Sequence, residues 1–221
     1  MKKTQKRSVL HRDPPDLPHE LESAGDLENL FGDTDVITIT EKRLHDLQRT
    51  NLSAGSIRIE GSLLERIQLA EGTFGSAVWK DVRMVGCDLA NIRAHRISLV
   101  RVELIDCRLT GFRANALDWR DVLVQNGDVR YAQFHGGTFR TCEFNGCNLQ
   151  DADLQEADLS GSLLRACNLA RADLRHAKLR NTDLRKSEVE GMFVGVGDLQ
   201  GAIVDPAQAM ILARLMGLQI S

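Results

Sequence analysis

Apolar residues recur along this chain with a period of five. From Ile59 every fifth residue is apolar as far as Leu199, a run of 29 positions that passes through Leu64, Leu69, Phe74, Trp79, Met84, Leu89, Ala94, Trp119, Phe139, Leu159 and Leu179 without an insertion. We call this position the centre. Two residues before it the side chain is small or compact: Ala77, Val82, Cys87, Ile92, Ile97, Val102 and Cys107, later Ala132, Gly137, Cys142, Cys147, Ala152, Ala157, Ser162, Cys167, Ala172 and Ala177. The remaining three positions are mostly Asp, Asn, Arg, Gln, Glu, Ser or Gly. A helix requires a period of about 3.6 and a strand a period of about 2, so neither explains the pattern. A coiled coil is excluded as well, because no heptad survives and Asp, Asn and Gly are poor helix formers. A five-residue unit that buries two side chains and exposes three is one short side of a coil. It cannot bury its apolar pair alone, so such units must stack.

The cleanest stretch, CNLQDADLQEADLSGSLLRACNLARADLRHAKLRNTDLR, runs from Cys147 to Arg185. Its A-(D/N)-L-x-x pattern resembles that of the pentapeptide-repeat family, and the resemblance spans roughly residues 42–204. It implies an all-β fold: a right-handed quadrilateral parallel β-helix with four units per coil. Side chains twenty residues apart then stack at about the 4.8 Å strand spacing, which gives about seven coils and a rod of roughly 35 Å. Trp79 and Trp119 fall in one column with Leu99 between them, and Ala94 and Ala114 lie in the neighbouring column. Large beside small is how an interior of fixed width conserves volume. The indole N–H groups also require partners.

Three segments follow. Residues 1–34 form a flexible or irregular N-terminal arm. Within it, HRDPPDLPH at His11–His19 is extended or disordered, and Leu21, Leu27, Leu30 and Phe31 suit a short helix or irregular packing. Residues 35–204 form the solenoid, opening with the alternating strand DVITIT. Between Leu44 and Ile57 two readings stand: the phase slips near Ile57, or Leu47, Leu52 and Ile57 occupy the smaller inward position. Residues 205–221 form a C-terminal helix and tail. Asp205 caps the helix, Pro206 suits its first turn, Gln208 lies three after the cap and Gly217 stops it. Met210, Ile211, Leu212, Leu215 and Met216 cover more than one narrow stripe, which fits either a plain end cap or a cap that also makes a twofold interface. The sequence GAIVDPAQAMILARLMGLQI resembles the C-terminal end of the Qnr and MfpA type pentapeptide proteins. That resemblance implies a tail-to-tail homodimer through Leu212, Leu215 and Met216, engagement of DNA gyrase or topoisomerase IV, and protection of the enzyme from quinolones.

Charge and chemistry narrow the function. Lys and Arg total 28 against 31 Asp and Glu, too balanced for a non-specific nucleic-acid binder, and no direct nucleic-acid binding is expected. No apolar run reaches the length of a membrane span, and the basic residues Met1–Val9 lead into no apolar stretch of a signal peptide. All five cysteines, Cys87, Cys107, Cys142, Cys147 and Cys167, occupy the small inward position, four of them in one column interrupted at Gly127. Parallel side-chain vectors in a ladder neither converge on a metal nor face each other for a disulfide. Reduced, buried thiols are expected, and with them a reducing, cytoplasmic location. His11, His19, His45, His95, His135 and His176 cannot meet. Asp153, Asp158, Asp173 and Asp183, each just before a centre, suit local turn hydrogen bonds. No phosphate loop or HExxH is present, so no enzyme, metal or cofactor is expected.

Sorting outward residues by column isolates two surfaces. The column centred on Leu69, Leu89, Leu109, Val129, Leu149, Leu169 and Val189 carries Glu71, Asp88, Asp128, Asp151, Glu188 and Glu190 against Arg108, Arg130 and Arg171. A protein that imitates DNA should be continuously acidic, since phosphate charge dominates real DNA binding; this face has only a mild acidic bias. The column centred on Leu64, Met84, Leu104, Val124, Phe144, Leu164 and Leu184 carries Leu63, Val85, Ile105, Leu123 and Leu163 outward. Such a row is expected to be covered, by the N-terminal arm or by a partner. Two functions follow: a topoisomerase-binding rod, or a scaffold that takes another protein on this apolar face and the arm.

Overall fold

The computed structural model describes residues 11–23 and 35–219. The chain winds as a right-handed quadrilateral parallel β-helix of about seven turns. Its strands form one parallel sheet: β1 (Glu22–Ser23), β2 (Val36–Thr40), β3 (Lys42–His45), β4 (Ser53–Glu65), β5 (Thr73–Val85), β6 (Arg93–Ile105), β7 (Arg113–Gln125), β8 (Thr138–Arg140), β9 (Glu143–Asn145) and β10 (Leu163–Arg165). Every pairing joins residues twenty apart, as in Ile59–Trp79–Leu99–Trp119–Phe139. We name the four faces by one centre each: the Trp79, Met84, Leu89 and Ala94 faces, in chain order.

The register question before Ile59 has one answer. Leu44 pairs with Leu64 as a centre, and Ile57 pairs with Ala77. Leu47 and Ile57 are buried and Leu52 packs against the core. These residues therefore fill the smaller inward position, and the phase does not slip. Leu27, Leu30 and Phe31 lie outside the described residues.

The corners explain why Asp, Asn and Gly fill the outward positions. Two residues after most centres the backbone is left-handed, as at Asp81, Asn91, Asp106, Asn126, Gly136 and Gly161. Asn, Asp and Gly tolerate that conformation best. Side chains just before the centre reinforce the turn. Asp88, Asp128, Asn148, Asp153, Asp158, Asn168, Asp173 and Asp183 each accept the amide two residues on, at 2.9–3.3 Å.

One corner behaves differently in the two halves. Between the Ala94 and Trp79 faces, Ser56, Ser76, Arg96 and Ala116 stay outside the left-handed region, whereas Gly136, Glu156 and His176 enter it. Accordingly β4 to β7 each run on for 13 residues across three faces. Later strands are three residues long and joined by isolated bridges. The interior changes at the same place. The second inward position holds Ile57, Ile97, Leu117, Ile92 and Phe112 early, but Ala132, Ala152, Ala157, Ala172 and Ala177 later. At the junction Phe112, Trp119, Phe134, Phe139 and Phe144 form a continuous ring cluster, with centroids 5.3–6.4 Å apart.

Volume is conserved within single faces too. On the Ala94 face the two inward positions read Leu52/Ala54, Gly72/Phe74, Ile92/Ala94, Phe112/Ala114 and Ala132/Phe134. A large residue always accompanies a small one. A Cβ at Gly72 would lie 2.9 Å from Phe74 Cε2, so the ring occupies the space that Gly72 vacates.

Candidate interaction surfaces

The side chains of one column stack at ladder spacing, so opposite charges twenty residues apart meet directly. This cancels much of the acidic bias of the Leu89 face. Asp88 is held by Arg108 and Asp151 by Arg171 at 2.8 Å, each one coil on, while Asp128 is held by Arg130 at 2.7 Å, two residues on in its own turn. The hydrogen bonds from Arg130 and Arg171 hold Asp128 and Asp151 below the usual carboxylate range. Glu71 accepts from Asn91 Nδ2 at 2.7 Å. Only Glu188 and Glu190, beside each other near the C-terminal end, lack a side-chain partner among the described residues. The six acids thus share a face without forming one continuous negative surface.

The N-terminal arm lies against the rod where the Trp79 and Met84 faces meet. Arg12 Nη2 donates to Glu103 Oε1 at 2.7 Å, and Arg83 Nε donates to the other oxygen of the same carboxylate at 2.7 Å. The Asp16 amide donates to Asp81 Oδ1 at 3.0 Å. Pro18 approaches Gly61, and β1 extends the ladder beyond β3 at Lys42–Arg43. The arm therefore descends the rod from the level of Glu103 to the first coil. It completes two acids that the rod buries, Asp81 at 6% and Glu103 at 5% exposure. Burial opposes ionisation of Asp81, but Arg101 and the Asp16 amide hold its carboxyl below the ordinary range. Leu63, Val85, Ile105, Leu123 and Leu163 are each half-buried.

The sequence reading missed one role of the small inward position. It read the cysteines and Ser162 there only as small buried side chains, yet apart from Ser62, which donates to Glu60 O, the Cys, Ser and Thr in this position donate to a carbonyl 23 residues earlier. Cys147 Sγ reaches Val124 O at 3.1 Å, Ser162 Oγ reaches Phe139 O at 3.2 Å, and Thr182 Oγ1 and Ser187 Oγ reach Leu159 O and Leu164 O at 2.7 Å. Cys87, Cys107, Cys142 and Cys167 do the same. The shared chemistry of these residue types, a donor on a short stem, was the available signal. All five thiols are free and buried. Burial pushes the Cys142 thiol up to about 12, which leaves it unreactive at neutral pH. Among the described residues no group of three or more His, Cys, Asp or Glu could hold a metal ion. The indole nitrogens of Trp79 and Trp119 have no hydrogen-bond partner there either.

At the C-terminal end, α1 (Pro206–Leu215) closes the rod. Asp205 and Gln208 form the expected capping box. Gln208 does more: its Nε2 donates to Leu184 O and Ser187 O, both at 2.6 Å, and so occupies two carbonyls at the open edge of the last coil. Leu212 is 4% exposed and packs in the core. Its place is the cap, so it is withdrawn from the set of residues free to meet a second copy. Leu215 and Met216 are exposed, and so are Met210 and Leu218. No helix is long and apolar enough to cross a membrane among the described residues.

Two family models match this chain, a pentapeptide repeat region over residues 77–154 and pentapeptide repeats in eight copies over residues 147–185. The chain is a pentapeptide-repeat protein. Its rod superposes on a trypsin-treated form of QnrB1, described as a plasmid-mediated fluoroquinolone resistance protein, with a TM-score of 0.68 and 24% identity over 85% of this chain and 96% of that one. A second trypsin-treated form of QnrB1 gives 0.56 and 21% over 81% of this chain and 100% of that one. At these identities the likeness is one of fold. No curated protein matches the chain.

Proposed function

We propose that this pentapeptide-repeat rod is a non-catalytic protein-binding module that dimerises tail to tail and engages DNA gyrase or topoisomerase IV, shielding it from inhibitors. The observation that carries the reading is the end of the rod. Leu212 and Gln208, with Val204 and Ile211 packed beside them, face the last coil, yet α1 and its tail leave Met210, Leu215, Met216 and Leu218 exposed. Exposed apolar side chains beyond what a cap requires fit an interface with a second copy. The fold shared with a fluoroquinolone resistance protein supports the choice of partner. A gyrase supercoiling assay, run with and without a quinolone, tests it: the expected result is protection of supercoiling at micromolar protein, and absence of binding, inhibition and protection overturns it. Sedimentation of the wild type and of Leu215→Glu tests the dimer separately, the variant being expected to halve the solution mass.

The Leu89 face favours a second reading. Arginines neutralise Asp88, Asp128 and Asp151 one by one, so this surface is a poor imitation of a phosphate backbone. A scaffold that binds a non-topoisomerase protein through the Met84 face and the arm accommodates that pattern. Recovery of such a partner, lost on Leu63→Lys together with Leu123→Lys, would favour it.

A further inference from the structure

Along the columns of this rod, arginines generally find an acid twenty or so residues away: Arg66 with Asp46, Arg101 with Asp81, Arg108 with Asp88, Arg140 with Asp118, Arg171 with Asp151. Arg58, Arg120 and Arg180 are exposed without an acidic partner among the described residues, but each stands alone, whereas on the Ala94 face two such arginines stack. Arg93 and Arg113 are directly paired in the ladder, one above the other, and Arg96 stands two residues beyond Ala94. None of the three has an acidic partner among the described residues, and all are exposed. Like charges directly opposite each other destabilise a sheet, so this stacking has no structural benefit.

The same place is hollow. A cleft of about 270 Å³ opens over Ala94, lined by Thr73, Phe74, Arg93, His95, Arg113 and Asn115. His95 Nδ1 and Asn115 Nδ2 lie 3.2 Å apart on its rim. Two arginines paired in the ladder beside an apolar floor fit a carboxylate carried on a short methylene stem. The guanidinium forks bind the oxygens, and the stem rests on Ala94 and Phe74.

We propose that this cleft is a carboxylate-binding site that receives Glu or Asp side chains from an acidic segment of a partner protein. The apolar part of the lining, Phe74 and Ala94, favours a carboxylate on a methylene stem over the bare phosphates of a nucleic acid. The proposal stands whether or not the partner is a topoisomerase.

A fluorescent hexaglutamate peptide is the probe, titrated into the full chain at low salt. A hexaglutamine peptide, inorganic phosphate and a single-stranded oligonucleotide run beside it. Hexaglutamate is expected to bind, with affinity falling at least about tenfold in the Arg93→Gln/Arg113→Gln double variant and unchanged in Arg140→Gln. The double variant should melt at or above the wild-type temperature, since it removes a like-charge contact; a merely structural arginine pair would lower it. Equal binding by the double variant, equal or tighter binding of phosphate or the oligonucleotide, or a lowered melting temperature would each overturn the site.

Discussion

The two halves of the rod solve the same packing problem in different ways. Up to Gln125 the second inward position is often Ile, Val, Leu or Phe, and 13-residue strands run across three faces. From Tyr131 onward that position is Ala, Gly, Cys, Ser or Thr except at Met192 near the end of the rod, and the chain turns sharply at all four corners through left-handed residues such as Gly136, Glu156 and His176. β-branched side chains favour extended backbone, while Asp or Asn before a centre draws the chain into a turn. On the Ala94 face the residue before the centre is Thr73, Arg93 and Arg113 in the first half, but Asp153 and Asp173 in the second. One period of five therefore encodes the coil, and two side-chain choices within it decide whether a corner is open or tight.

The sharpest test is at the junction. Phe139 is 1% exposed and contacts Trp119, Phe134 and Phe144. Phe139→Asp removes a ring from the middle of that cluster and buries an unpaired carboxylate. Each effect costs several kcal/mol, against a typical total of about 5–15 kcal/mol. Because a solenoid can open locally, hydrogen exchange should show protection lost across residues 119–159 before the ends. Arg140→Asp, one residue on, loses only an exposed pair with Asp118 and should change stability by about 0.5 kcal/mol or less in urea. The reverse order would mean that the register is wrong.

The next effect belongs to the tight half. Asp183 is 2% exposed, and Arg165 and Arg185 both donate to it, as does the Arg185 amide at 3.1 Å. Burial resists its ionisation, yet the two arginines hold its carboxyl well below the ordinary range. A carboxyl depressed on folding contributes stability that is complete above its unfolded pKa of about 4 and is lost as pH falls through the folded value. Asp183→Asn should therefore cost about 1–3 kcal/mol at pH 7, with the gap to wild type closing below about pH 4. A gap that stays constant down to pH 2 would remove the ion cluster from the account.

Thr182→Val is expected to be milder. It keeps shape but leaves Leu159 O without the 2.7 Å hydroxyl bond, a loss of about 1–2 kcal/mol, read by thermal or urea unfolding. Thr182→Ser should recover most of it. If valine is as stable as threonine, the inward donors are packing residues after all.

The coil was legible in the sequence because the signal is periodic and each unit repeats it. The Asx turns at Asp153, Asp158, Asp173 and Asp183 were legible for the same reason. What sequence reasoning missed depends on residues far apart in the chain. Asp88 looks like a free acid until Arg108 is stacked upon it, and Leu212 looks like an interface residue until the helix is laid on the last coil. The apolar row suggested that the arm could dock, but not that Arg12 and Asp16 would meet Glu103 and Asp81, since both sit in a Pro-rich, charged stretch whose composition argues against order. The cleft over Ala94 was not legible, because it is lined by outward residues of three successive coils, Thr73, Arg93, His95, Arg113 and Asn115.

The smallest expected effect compares the halves at one column. Asp118 and Asp158 both stand before a centre on the Trp79 face, two coils apart. Asp158 accepts the Ser160 amide at 3.1 Å and so supports a tight corner. Asp118 lies in the open half, in the middle of β7, and spends its carboxylate on exposed Arg140 at 3.1 Å. A lost turn acceptor costs about 1 kcal/mol, by analogy with helix caps, whereas an exposed ion pair contributes little. Asp158→Ala should therefore lower stability by about 1 kcal/mol, and Asp118→Ala by about 0.5 kcal/mol or less. Asn separates the turn from the charge. Asp158→Asn keeps an acceptor for the amide while giving up the ion pair with Lys178, so it should restore most of the loss in the same urea titration. If Asp158→Asn is as damaging as Asp158→Ala, the charge and not the turn holds that corner, and the distinction between open and tight halves would have to rest on interior volume alone.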